Sequence, residues 1–73
     1  MSEKLALGVY RHYKGKDYEV IAVARHSETE EELVVYRLMY GDFSYWVRSL
    51  SMFTENIELD GVITPRFQWL KAT

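Results

Sequence analysis

Tyr18-Glu19-Val20-Ile21-Ala22-Val23-Ala24-Arg25 decides how the rest of the chain is read. Five aliphatic residues run unbroken between a glutamate and an arginine, and the segment reads as a strand. Upstream, Leu7 to Tyr13 is a second run rich in β-formers. Lys14-Gly15-Lys16-Asp17 has the composition of a hairpin turn between the two. Downstream, His26 to Glu32 breaks the apolar pattern. Ser27 with Glu30, and Thr29 with Glu32, stand at capping-box spacing, which predicts a brief helical turn or a tight loop. Leu33 to Tyr40 is the next strand, and Gly41-Asp42 opens the turn after it. Tyr45 to Leu50 makes a fourth strand. Ser51 to Glu55 is expected to form one helical turn that carries Met52 and Phe53 inward. Ile57 and Leu59 lead into Asp60-Gly61, a further turn signal. Val62-Ile63-Thr64 and Arg66 to Leu70 then read as two short strands, or as one strand bent at Pro65.

Short strands at this spacing predict a mainly β fold: a small SH3-like barrel of five to six short strands with one helical turn. The length, 73 residues, suits a single domain spanning 1–73 with one core. Val20–Val23 and Leu33–Leu38 are apolar on both faces, so alternation does not say which parity faces inward. Two Trp, six Tyr and three Phe supply the bulk of the core, each able to bury on the order of 150–250 Å².

Composition narrows the function classes. There is no cysteine, which excludes disulfides and thiolate metal sites and fits a reducing cytoplasm. No apolar stretch approaches the ~18 residues of a membrane span, and the polar start Met1-Ser2-Glu3-Lys4 does not read as a signal peptide. A cytoplasmic protein with no membrane association is expected. The net charge of −2 argues against undirected binding to a polyanion. The acids are uneven, however, with Glu28, Glu30, Glu31 and Glu32 in one short segment, so a local positive patch stays open.

The cations are sorted. Arg11, Arg25, Arg37 and Arg48 fall within or at the end of different strand-like runs, and Arg66 follows the only proline. The lysines Lys4, Lys14, Lys16 and Lys71 lie in the termini and one turn. Arginine's planar fork holds carboxylates or phosphates through two bonds and suits fixed positions. Two readings follow. The arginines build a site for an anionic ligand, or they pair with the acidic run and hold the loops together.

Several segments taken together resemble the signature of the uncharacterised bacterial DUF1653 family. They are Tyr10-Arg11-His12-Tyr13-Lys14-Gly15, Ala24-Arg25-His26-Ser27-Glu28-Thr29, Val35-Tyr36-Arg37, Trp46-Val47-Arg48 and Pro65-Arg66-Phe67. The resemblance covers nearly the whole chain from about Gly8 onward. Ser49 departs from it, because such sequences more often place a proline after Trp-Val-Arg. The resemblance implies an SH3-like barrel of bacterial origin and supplies no function.

Function must come from the residues. Arg25, His26, Ser27 and Thr29 sit at a strand exit, where a guanidinium could clamp an anion while the hydroxyls donate; the bland alternative is that Ser27 and Thr29 cap a turn. Arg11 and His12 belong to a polar–aromatic block in which neighbouring residues face opposite ways. Tyr36 and Arg37 lie on one strand, Trp46 and Arg48 on another. A Trp beside an Arg could sandwich a planar ligand, although Trp46 and Trp69 are expected in the core. His12 and His26 are the only histidines, and nothing in their spacing calls for a metal or other cofactor. Adjacent His26, Ser27 and Glu28 cannot form a triad among themselves, since side chains alternate along an extended chain. The reading favoured is a non-catalytic module. Arg11, His12, Arg25, His26, Ser27, Thr29, Tyr36, Arg37, Trp46 and Arg48 would bind an anionic planar ligand such as a nucleotide, a modified base or short RNA. The alternative is a protein partner, received as a peptide in an aromatic groove. The oligomeric state is left open.

Overall fold

The computed structural model describes residues 5–72. The Met1 to Lys4 start lies outside them. Chain order is β1 (Gly8–His12), β2 (Asp17–Arg25), β3 (Glu32–Leu38), β4 (Tyr45–Ser49), α1 (Leu50–Phe53), β5 (Asn56–Leu59), β6 (Val62–Pro65) and β7 (Phe67–Lys71). Five strands form one antiparallel sheet in the order β4-β3-β2-β1-β7, and β5 with β6 makes a separate hairpin. The mainly β fold with one helical turn is as expected. The expected barrel is not closed, because no ladder joins β4 to β7 and each leaves an open edge. The extra strand, β5, exists because Asp60 (φ 51°) and Gly61 (φ 80°) take the left-handed conformations of a two-residue hairpin turn.

Register explains why alternation could not be read. Val20 pairs with Tyr36 and Val23 with Val34, with a bulge between Val20 and Ala22. The extra residue switches parity, so Val20 and Val23, three apart, both face inward while Ile21 lies exposed. The inner face then carries Tyr10 and His12, Tyr18 and Val20, Val34 and Tyr36, Trp46 and Arg48, and Phe67, all matched across the ladders. At the other edge β1 and β7 come close at Gly8 (φ 134°). A methyl group built there would meet the Lys71 carbonyl, so a side chain is excluded on both counts.

A flat sheet would hold β3 and β7 about 14 Å apart. Instead Tyr36 of β3 approaches Phe67 of β7 with ring centroids 6.5 Å apart, so the sheet is curled over its inner face. Helix α1 closes the curl. Ser49 caps it by accepting from the Met52 N–H at 3.2 Å, and Phe53, 1% exposed, stacks on Phe67 at 4.1 Å with its edge toward Tyr10. Leu50 packs beside it. Only one face of a single turn points inward, so Met52 does not follow Phe53 as expected and is half exposed. Trp46 and Trp69 likewise leave the expected core. They are 53% and 47% exposed because they ride on edge strands, where one flank of each ring has no neighbouring strand.

Candidate functional site

The anticipated site residues separate into three groups. Arg11 and Arg37 lie on the outer face. Arg11 holds Asp17 through two bonds at 2.8 and 3.2 Å, and Arg37 holds Glu19 at 2.8 Å. Each arginine stands in ladder contact with its acid, so both pairs brace the sheet. The Arg11 guanidinium holds the Asp17 carboxyl below the usual carboxylate range, chiefly by hydrogen bonding.

Arg25, His26, Ser27 and Thr29 form the second group, in the turn between β2 and β3. Here the segment is a tight loop rather than a helical turn. The His26 N–H donates to the Glu31 carbonyl, and the Glu30 N–H donates back to that of His26. The His26 ring does the capping expected of Ser27. Its Nδ1 accepts from the Glu28 and Thr29 amides at 3.1 and 3.3 Å, while Thr29 Oγ1 accepts from Glu31. Arg25 is well exposed and lies 3.7 Å from Glu30.

His12, Tyr36, Trp46 and Arg48 are the group the fold brings to one face. Tyr36 is buried directly opposite Trp46. Arg48 reaches from β4 across the curl, with its guanidinium carbon 5.7 Å from the centre of the Phe67 ring on β7. His12 lies edge-on to the same ring at 4.9 Å. Tyr18 packs against Phe67 and Tyr36 at 5.5 and 5.4 Å, and its hydroxyl shares a 3.2 Å hydrogen bond with Tyr40.

Arg48 differs from the other arginines. Arg11, Arg25, Arg37 and Arg66 each have an acidic partner, the last in Glu55 at 2.9 Å. Among the described residues Arg48 has none, and its Nε is sealed from solvent without a hydrogen bond. The Nε of Arg66 is in the same condition. A guanidinium held over an aromatic ring keeps its charge when no described carboxylate compensates it. Its field is felt nearby: burial, then Arg66, Arg48 and Lys14, push the His12 pKa down. Burial and the bond to Tyr40 push that of Tyr18 up, which keeps the phenol neutral.

Lys14 and Lys16 stand at this end of the sheet, over the Tyr13 and Tyr40 rings. The far end of β2, about 26 Å away at the usual strand rise, carries Glu28, Glu30, Glu31 and Glu32. A depression of about 300 Å³ there is lined by Glu31, Glu32, Leu50, Ser51 and Thr54. Thus a chain of net charge −2 has one basic aromatic end and one acidic end.

His12 and His26 stand at opposite ends of β2. Among the described residues no cluster of three metal-ligating side chains forms. No described helix is long and apolar enough to cross a membrane. Sequence reasoning missed Tyr18, Tyr40, Arg66 and Phe67 as members of the face. The register of Tyr10 with Tyr18 and of His12 with Phe67 would have found two of them, Tyr18 and Phe67, had the pairing been known.

No curated protein matches the chain. A solved structure does: the crystal structure of a DUF1653 protein from Bordetella bronchiseptica superposes with a TM-score of 0.86 at 33% identity, covering 96% of this chain and 92% of that one. The family model for DUF1653, a protein of unknown function, matches residues 8–69, which take in β1 to β6 and β7 as far as Trp69. The polar–aromatic segments and the curled sheet they form therefore come from one source, and the chain belongs to the DUF1653 family.

Proposed function

We propose that this protein is a non-catalytic recognition module, and that its curled inner face binds an anionic planar ligand: a nucleotide, a modified base or a short stretch of RNA. The observation that carries this reading is Arg48, the arginine without an acidic partner among the described residues, held over Phe67 and two residues from the exposed Trp46. Arg48 would take the phosphate or carboxylate, with Arg66 and His12 adding to the field. Trp46 would stack on the planar part, a contact worth about 1–3 kcal/mol per base. Arg11 and Arg37 drop to bracing roles, and Arg25, His26, Ser27 and Thr29 to turn formation. The narrowing from ten residues to the inner-face group follows from their ion pairs and caps. The absence of cysteine favours a cytoplasmic setting in a bacterium, with the curled sheet acting as an open, SH3-like half-barrel.

The test is an amide NMR titration with nucleoside monophosphates, short single-stranded RNA and a peptide pool, at low and moderate salt. Shifts confined to His12, Tyr18, Trp46, Arg48 and Phe67 with a nucleotide or RNA, lost in Arg48→Met, are expected. Equal shifts in Arg48→Met, or none with any nucleotide, would overturn the reading. The second reading, a peptide-binding groove, draws on the exposed Tyr45, Trp46 and Val47. Peptide shifts that persist at high salt would mark it, because phosphate contacts weaken steeply with salt.

A further inference from the structure

We propose that β4 pairs with β4 of a second copy, antiparallel and centred on Val47, so that Trp46 of each copy comes to lie opposite Arg48 of the other. The starting point is that β4 is an edge strand with an exposed apolar stretch and Arg48 as its one charge. Its residues Tyr45, Trp46 and Val47 are 66%, 53% and 57% exposed, and it contains no lysine, proline or bulge. The opposite edge is guarded: Pro65 precedes β7, Lys71 ends it, and its ladder with β1 is interrupted by a register shift. An exposed apolar edge with free backbone groups is a template for another strand.

The backbone sets the register. Leu38 N–H donates to the Ser44 carbonyl, which makes that pair a hydrogen-bonded one. Along an antiparallel ladder the pairs alternate, so Trp46 and Arg48 direct their backbone groups toward β3. Tyr45, Val47 and Ser49 turn theirs to the open edge. A two-fold axis at Val47 pairs all five residues of both strands and makes Val47 with Val47 a hydrogen-bonded pair. The same axis sets Tyr45 against Ser49 and Trp46 against Arg48.

The side chains suit this register. No like charges are directly opposite, and each Arg48 stands across the ladder from a Trp46. The surface is self-complementary, as a two-fold interface must be. A peptide from another protein would meet the same edge, but nothing in it would have to match Arg48 with an aromatic ring. Strand pairing of this length buries less than the ~1,600 Å² of a standard interface, so the association depends on concentration. The proposal does not rest on the ligand reading, because Val47 points to the outer face, away from Arg48. Its consequence for that face is that the second copy adds its own Trp46 beside each Arg48.

Sedimentation equilibrium over a wide concentration range tests it, with Val47→Lys as the breaking variant. Two lysines would then face each other at the axis, and the dimer dissociation constant should rise at least tenfold. Unchanged circular dichroism and melting temperature show that the variant still folds. The natural chain has no cysteine, so single cysteines report register without background. Under mild oxidation Val47→Cys should form a disulfide, since paired Cα atoms stand about 5.5 Å apart. Ile63→Cys, at a position even more exposed on the β5–β6 hairpin, should not. A chain monomeric at every concentration, a dimer that survives Val47→Lys, or equal cross-linking at Val47 and Ile63 would each overturn the proposal. So would a monomer whose β4 amides respond only to added peptide.

Discussion

The two ends of the curled sheet are built from the same residue types and use them oppositely. At the β2–β3 turn a histidine, a threonine, an arginine and several glutamates are spent on one another and on the backbone. His26 caps two amides, Thr29 a third, and Arg25 leans toward Glu30. On the inner face a histidine, an arginine and several tyrosines surround Phe67, and no acid among the described residues answers Arg48. Polar residues whose bonding capacity is met locally are explained by folding. A charge left unmet over an aromatic floor is not, because desolvating it without a partner costs free energy. The comparison separates polarity spent on the fold from polarity left unspent, without appeal to residue type.

The strongest way to break the comparison is to remove the floor. Phe53→Ala deletes the ring stacked on Phe67 and should cost about 3–5 kcal/mol. In a domain this small that is much of the total stability, so a chemical denaturation curve should show a chain near its unfolding midpoint. If the loss is under about 1 kcal/mol, the helical turn is not what closes the curl.

Arg48→Met sharpens it. Methionine keeps the apolar stem over Phe67 and removes a charge with no partner among the described residues, so the melting temperature should hold or rise. Arg66→Met should instead lower it, because that change leaves Glu55 unpaired. A large destabilisation by Arg48→Met, measured calorimetrically, would show that the guanidinium is a structural group and remove the contrast.

Much of the fold was legible because strands and turns are local. Asp60-Gly61, Lys14-Gly15 and the two long strands could be placed from neighbours alone. What failed was non-local. The bulge between Val20 and Ala22 flips parity mid-strand, so no counting along β2 could tell that Val20 and Val23 share a face. Trp46 and Trp69 are large and apolar, and only the strand order reveals that both sit at edges. The arginine pattern was visible, but its meaning lay in partners far along the chain, such as Glu19 for Arg37. Arg48 stands out only once the other four are seen to be paired.

His26→Ala attacks the self-satisfied end. It strips the acceptor from two turn amides and should cost about 0.5–2 kcal/mol, as loss of a cap does. Faster hydrogen exchange should be confined to residues 26–31, with His12 and Arg48 undisturbed. Exchange that also quickens around Phe67 would mean that the two ends are coupled.

The smallest effect distinguishes His12. Burial and the cations Arg66, Arg48 and Lys14 push its pKa below the ordinary value, and its Nδ1 accepts from the Lys14 amide, which the neutral ring allows. The unfolded chain therefore takes up this proton at a higher pH than the folded one. The stability linked to His12 is fully present above the unfolded value of about 6.5 and is lost as pH falls from there toward the folded value. Denaturation curves at several pH values should show stability rising with pH in that window. His12→Asn, which offers an oxygen where Nδ1 stood and cannot titrate, should flatten that part of the slope. Arg48→Met should reduce it, since one of the cations that repel the proton is gone. If Arg48→Met leaves the slope of the natural chain unchanged, the Arg48 charge does not reach His12, and the inner face is not the single electropositive unit that its contacts imply.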